Sequence, residues 1–159
     1  MALDVLRALE AAHAAGIIHC DVRPSNTVVG HDGKAVLIDW GLSRSAKSES
    51  GCCGVAAFAA EGVFLQGSYS ARPAQDLGAL LYTWLAVAHS ASCDAPWLCK
   101  VGASDEEMFY ARAHWLSSSA VVGADKVAEL LMGGLRNNDS HSRVKALLEG
   151  IVAARPPAV

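Results

Sequence analysis

The chain has 159 residues, 52% of them hydrophobic, with a formal net charge of −3 and a pI near 6.0. That is enough apolar material for one domain with a packed core and too much for a disordered chain. The 13 Lys and Arg are scattered among 16 Asp and Glu, so there is no basic field and no nucleic-acid partner is expected. No apolar run reaches the length of a membrane span, and Asp4, Arg7 and Glu10 interrupt the stretch where a signal peptide would be continuous. No membrane partner is expected, and an intracellular, cytoplasmic location is.

Leu3, Leu6, Leu9 and His13 recur at helical spacing with charged residues between them, which predicts an amphipathic helix over 2–15 stopped by Gly16. Ile17 and Ile18 then enter the core. His19, Asp21 and Asn26 stand in the frame H-x-D-x-x-x-x-N. Thr27 to Val29 and Ala35 to Ile38 are β-branched runs joined by His31-Asp32-Gly33-Lys34, and Asp-Gly between two such runs predicts a hairpin. Asp39-Trp40-Gly41 follows. A hairpin brings the residue before its first strand and the residue after its second to one end of the ribbon, so Asn26 and Asp39 can share a cation. Mg2+ suits such a pair, because it takes hard oxygen ligands and few of them from protein.

From Leu42 to Ala60 the composition shifts to Ser, Gly, Ala and Cys without a long period, the pattern of a mobile surface loop. Residues 76–88 are the most apolar stretch and read as a central helix, with Asp76 a sound N-cap on local grounds. Residues 104–116, 124–135 and 142–153 read as amphipathic helices with polar caps, and Arg155-Pro156-Pro157 ends the last. The five cysteines, at 20, 52, 53, 93 and 99, are odd in number and contain no C-x-x-C, so neither a disulfide framework nor a zinc site is expected. Cys93 and Cys99 read as small hydrophobes, and nothing near Cys52-Cys53 argues for an activated thiol.

The run from His19 to Gly41, HCDVRPSNTVVGHDGKAVLIDWG, resembles the catalytic segment of the protein-kinase superfamily, H-R-D-L-x-x-x-N followed by D-F-G. The likeness begins earlier, in ALEAAHAAGIIHCD, where a Leu, a His and a Gly stand at the offsets of the kinase helix before that loop. The resemblance implies an α+β fold, mainly α-helical. The implied architecture is a kinase-like carboxy-terminal lobe with a short β-hairpin carrying the catalytic loop and D-x-G, and with the amino-terminal β lobe absent. One partial domain is expected over 1–155, with a tail at 156–159. The implied reaction is transfer of the γ-phosphoryl of Mg-ATP to a Ser or Thr hydroxyl of a protein substrate. By the same resemblance Asp21 accepts the proton, Arg23 steadies the transferred group, Asn26 and Asp39 hold Mg2+, and Val28 lies beneath adenine. His19, Trp40, Gly41 and Asp76 support the loop, Asp76 by capping its backbone. The activation segment is expected over 39–61, ending in Ala59-Ala60-Glu61, with Glu61 paired to Arg143 in the D-x-x-x-R stretch from Asp139.

Several positions depart from the family. Nothing resembles the Gly-rich loop over the phosphates, the β3 Lys or the helix Glu that pairs with it. The isolated chain is therefore expected to be weakly active or inactive unless a missing segment or a partner covers the nucleotide. The face turned to that cover would expose Val28 and Trp40 and favour association. Cys20 replaces the loop Arg, so a phosphate on Ser43, Ser45, Ser48 or Ser50 lacks its usual cation. Trp40 replaces Phe, Arg23 replaces Lys, and Val55, near the family's Gly-Thr, offers no hydroxyl. Two other readings follow. One is a pseudokinase or regulatory binding lobe without turnover. The other is a small-molecule phosphotransferase of the aminoglycoside or choline kinase type, which shares H-x-D-x-x-x-x-N and Ile-Asp-Trp. For that second type Asp76-Leu77-Gly78 comes too late, and it has no counterpart to Glu61 or Arg143.

Overall fold

The computed structural model describes residues 1–46, 48–50, 54–60, 69–89, 97, 103–118, 121, 123–133, 135 and 140–154. It opens with α1 (Ala2–Ala14), whose buried line is Val5, Leu6 and Leu9. Gly16 follows at φ 76, a left-handed position that halts the helix as expected. Short strands come next: β1 (Ile17–Ile18), β2 (Thr27–Val29), β3 (Ala35–Leu37), β4 (Arg44–Ser45), β5 (Glu49–Ser50) and β6 (Tyr69–Ser70). They make antiparallel pairs, β1 with β4, β2 with β3 and β5 with β6.

The hairpin stands where the Asp-Gly signal put it. Thr27 faces Leu37, Val28 faces Val36 and Val29 faces Ala35. The loop closes through Gly30 N–H to Lys34 O at 2.9 Å, with Gly33 at φ 75 supplying the left-handed residue. Alternation sorts β3: Ala35 and Leu37 are buried and Val36 is exposed, as is its partner Val28, while Val29 beside the turn is exposed as well.

Within 42–60, residues 44–45 and 49–50 carry more order than the composition predicts. Ile17 pairs with Ser45 and Ser50 with Tyr69, so the segment is held by backbone pairing to remote strands. Strands this short have no room for a readable period.

Helix α2 (Pro73–His89) begins before Asp76, which corrects the N-cap reading. Pro73 takes the first helical position and the Arg72 N–H donates to Gln75 Oε1 at 2.9 Å, the start that proline and a third-position Gln favour. The carboxylate of Asp76 is thereby released for another task. From Asp76 to Ala86 every residue of α2 is buried. Helices α3 (Asp105–Ser118), α4 (Ala124–Gly133) and α5 (Ser140–Ala153) follow, each within a few residues of its expected span. Ser104 and Glu107 begin α3 with reciprocal bonds, Ser104 N–H to Glu107 Oε2 at 2.8 Å and Glu107 N–H to Ser104 Oγ at 3.1 Å, a capping box.

Around α2 pack α1, α4 and α5. Leu77, Leu80, Leu81 and Leu85 of α2 are exposed by 1% or less, and each contributes about 1.5–3 kcal/mol by leaving water. Among the described residues no helix is long and apolar enough to cross a membrane.

Candidate functional site

The loop between β1 and β2 is assembled on α2. Asp76, exposed by only 1%, accepts the His19 N–H on Oδ2 at 2.7 Å and the Cys20 N–H on Oδ1 at 2.9 Å. A second tether lies two turns on, where Thr83 Oγ1 donates to Val22 O at 3.2 Å. Ionised acceptors make the stronger bonds, so Asp76 is the main anchor. The loop needs one, because Cys20 is held at φ 67, a conformation that costs a residue with a Cβ about 1–2 kcal/mol.

His19 ties the loop to the far strand. Its Nδ1 accepts the Asp21 N–H at 3.2 Å, its Nε2–H donates to Ile38 O at 3.1 Å, and Trp40 packs edge-on against its ring at 4.5 Å. The buried Asp21 and Asn26 face each other. Asn26 Nδ2 donates to Asp21 Oδ2 at 2.8 Å and to Asp21 O at 2.9 Å, and Arg23 Nε–H donates to the same Oδ2 at 3.0 Å. With Nδ2 so engaged, the carboxamide oxygen of Asn26 is the atom left to act as a ligand.

Asn26 and Asp39 come to one end of the hairpin, as its frame requires: Ile38 N–H donates to Asn26 O at 2.9 Å, and Asp39 is the next residue. Asp39 is exposed, sits at φ 61 and ψ 71, and accepts the Gly41 N–H at 3.4 Å. A carboxamide and a carboxylate oxygen fit a hard cation such as Mg2+. Among the described residues no group of three or more His, Cys, Asp or Glu is placed to hold a metal. A cation here would thus draw most of its shell from phosphate and water. Val28 is 44% exposed on the outer face of the hairpin, near which Val36, Ile38, Trp40 and Leu42 are exposed as well.

The later segment returns to the loop at Gly54. It lies at φ 85, and a Cβ built on it would stand 2.5 Å from Cys20 O and 3.3 Å from Asp21 Oδ1. Gly54 is therefore close against Cys20 and Asp21, and Val55 next to it is exposed. Glu61 lies outside the described residues, so its pairing with Arg143 does too. Arg143 sits half-buried on α5.

Two residues that sequence reasoning missed hold the end of this segment. Arg112 of α3, buried at 4% exposure, donates to Ala56 O at 3.2 Å and to Ala59 O, and its guanidinium lies 4.1 Å from the Tyr82 ring centre. Trp97 donates its Nε1–H to Ala57 O at 2.7 Å. The only signal in the sequence is an Arg in a helical stretch, and that is ordinarily a solvated residue.

Residues 1–93 match the protein kinase domain model, and the chain belongs to that family. Among curated proteins it is similar to mitogen-activated protein kinase p38b of Drosophila melanogaster, 46% identical over 46 residues, which are 29% of this chain and 13% of that protein. It is also similar to mitogen-activated protein kinase kinase kinase 17 of Arabidopsis thaliana, 41% identical over 59 residues, 36% of this chain and 16% of that protein. A third relative is a "Probable serine/threonine-protein kinase" of Streptomyces coelicolor, 39% identical over 51 residues, 32% of this chain and 7% of that protein. The matched stretches thus span a small part of these relatives' lengths.

Proposed function

We propose that this chain is the catalytic-loop lobe of a protein Ser/Thr kinase, with Asp21, Arg23, Asn26 and Asp39 as its working residues. The observation that carries the reading is the joint placement of Asp21, Asn26 and Asp39 at one end of the hairpin, on a loop clamped by Asp76. Mg-ATP, when bound, supplies the phosphoryl group and the cation that offsets phosphate charge. Asn26 and Asp39 offer that cation their oxygens, while the apolar Val28 meets the adenine face. Asp21 takes the proton of a Ser or Thr hydroxyl on Oδ1, because Oδ2 is bound by Arg23 and Asn26. Arg23 keeps further N–H groups beyond its Nε for the transferred group. Catalysis of this kind consists mostly of positioning and electrostatics, and the clamp on the loop serves the first.

The exposed band of Val28, Val36, Ile38, Trp40 and Leu42 supports a companion proposal. Another polypeptide segment or a partner covers this face, and transfer by the chain alone is weak or nil without it. A second reading is a nucleotide-binding lobe without turnover, in which Asp21 stays held by Arg23 and Asn26 and takes no proton.

The test is a thermal-shift titration with Mg-ATP and Mg-ADP. A ligand at 100 times its Kd stabilises by about 2.7 kcal/mol, or about 5–10 °C for a chain of this size. We expect a Mg2+-dependent rise that Asp39→Asn abolishes, and no rise in the unsubstituted chain removes the reading. Radiolabelled transfer to a mixed Ser/Thr substrate at ordinary kinase rates would exclude the lobe without turnover.

A further inference from the structure

The carboxylate that clamps the catalytic loop is also the end of a buried relay. His13 of α1, its side chain 3% exposed, places Nε2 at 2.8 Å from Asp76 Oδ2 and Nδ1 at 2.7 Å from Nε2 of His141 on α5. The His13 and His141 rings meet edge-on at 5.0 Å. His141 is only half-buried, so three helices share one hydrogen-bonded line that runs from the surface of α5 to the backbone amides of His19 and Cys20.

We propose that His141 is a positioning residue that makes the grip of Asp76 on the catalytic loop depend on pH. With Asp76 ionised, His13 Nε2–H donates to it, and His141 Nε2–H donates to His13 Nδ1. Uptake of one solvent proton at His141 Nδ1 moves the line by one step. The Nε2 proton of His141 passes to His13 Nδ1, so His141 stays neutral and His13 becomes an imidazolium that still donates its Nε2–H to Asp76, with the proton count balanced. The charge-assisted bond from His13 falls on the same Oδ2 that accepts the His19 N–H and competes with it, so the loop beside Asp21 loosens in acid.

The surroundings of His141 oppose its holding that proton itself. α5 packs against α1, α2 and α4, and the titratable groups acting on His141 are Glu10 and His13 from α1 and Asp76 from α2. Burial pushes its imidazole below the usual range, His13 adds to this, and Glu10 and Asp76 oppose it. A histidine whose folded-state pKa is lowered contributes stability that is complete above its ordinary value of 6.5. That stability is lost as pH falls below this value toward the lowered one. The fold and the loop clamp are thus strongest in the same range, above it.

The regulatory meaning rests on the proposed role of residues 19–26, but the coupling itself is read without nucleotide. A chain that binds no ATP still decides it. The experiment follows the backbone amides of His19 and Cys20 by 15N NMR in the full chain from pH 8 to pH 5.5, beside His141→Asn, which keeps an N–H donor and cannot titrate. We expect both amides to move with the midpoint of the His141 ring in the unsubstituted chain and to stay flat in the variant. The melting temperature should fall less steeply with acid in the variant. Amides that titrate identically in both proteins, or in neither, overturn the proposal. Should His141→Asn fail to fold, the unsubstituted chain decides: a shared midpoint for the ring and the two amides supports the relay, and separate midpoints end it.

Discussion

The loop from His19 to Asn26 and the segment from Trp40 to Leu42 flank one hairpin, yet they live in opposite surroundings. In the first, His19, Asp21 and Asn26 are exposed by 0%, 7% and 4%, and in the second Trp40 and Leu42 are exposed by 36% and 39%. The first satisfies its polar groups internally, as burial demands, with Asp76, Thr83 and His19 supplying the partners. The second shows apolar side chains to whatever comes next. One region of the site is thus closed on itself within this chain, and the other stands open to solvent.

Substitutions sharpen that contrast in graded steps. The largest effect belongs to Asp76→Asn, which removes the charge that accepts three buried donors and should cost about 3–5 kcal/mol in urea unfolding. A loss below about 1 kcal/mol would show that the loop is held from elsewhere. Next comes Gly54→Ala, where a left-handed φ and a Cβ pressed on Cys20 O should cost about 1–3 kcal/mol. An unchanged unfolding midpoint would mean that the later segment does not rest on the loop from His19 to Asn26 in solution. Thr83→Val keeps the shape and loses one bond to Val22 O, about 1 kcal/mol. If the variant is as stable as the parent, the second tether is idle.

The outer face should behave in the reverse way. Val36→Ser, on a side chain 51% exposed, should change stability by within about 0.5 kcal/mol while lowering concentration-dependent association in sedimentation. A monomer at every concentration in the unsubstituted chain would take away the case for a contact face on this side.

Much of the molecule was legible beforehand. The 2–15 period, the Asp-Gly turn at 32–33 and the apolar run from Asp76 each signalled a real element, because such signals report hydrogen bonds and side-chain directions a few residues apart. The frame of His19, Asp21, Asn26 and Asp39 was legible for the same reason, since a short ribbon converts spacing into proximity. The N-cap reading of Asp76 failed on a local rule, because Pro73 and Gln75 made a better start and left the carboxylate for the loop. The pairing of 44–45 and 49–50 was hidden by strands of two residues, and Gly54 meets the loop at Cys20 because a backbone without Cβ was required there.

By itself, then, the sequence determined the family, the succession of helices and the hairpin, and the polar residues that gather at its end, all matters of short-range geometry. Only the tertiary structure decided that His13 meets His141, that Arg112 and Trp97 hold the carbonyls of Ala56, Ala57 and Ala59, and that a buried carboxylate on α2 joins both histidines to the loop. Those contacts join residues far apart in the chain. They depend on how helices pack around α2, and no local period encodes that packing.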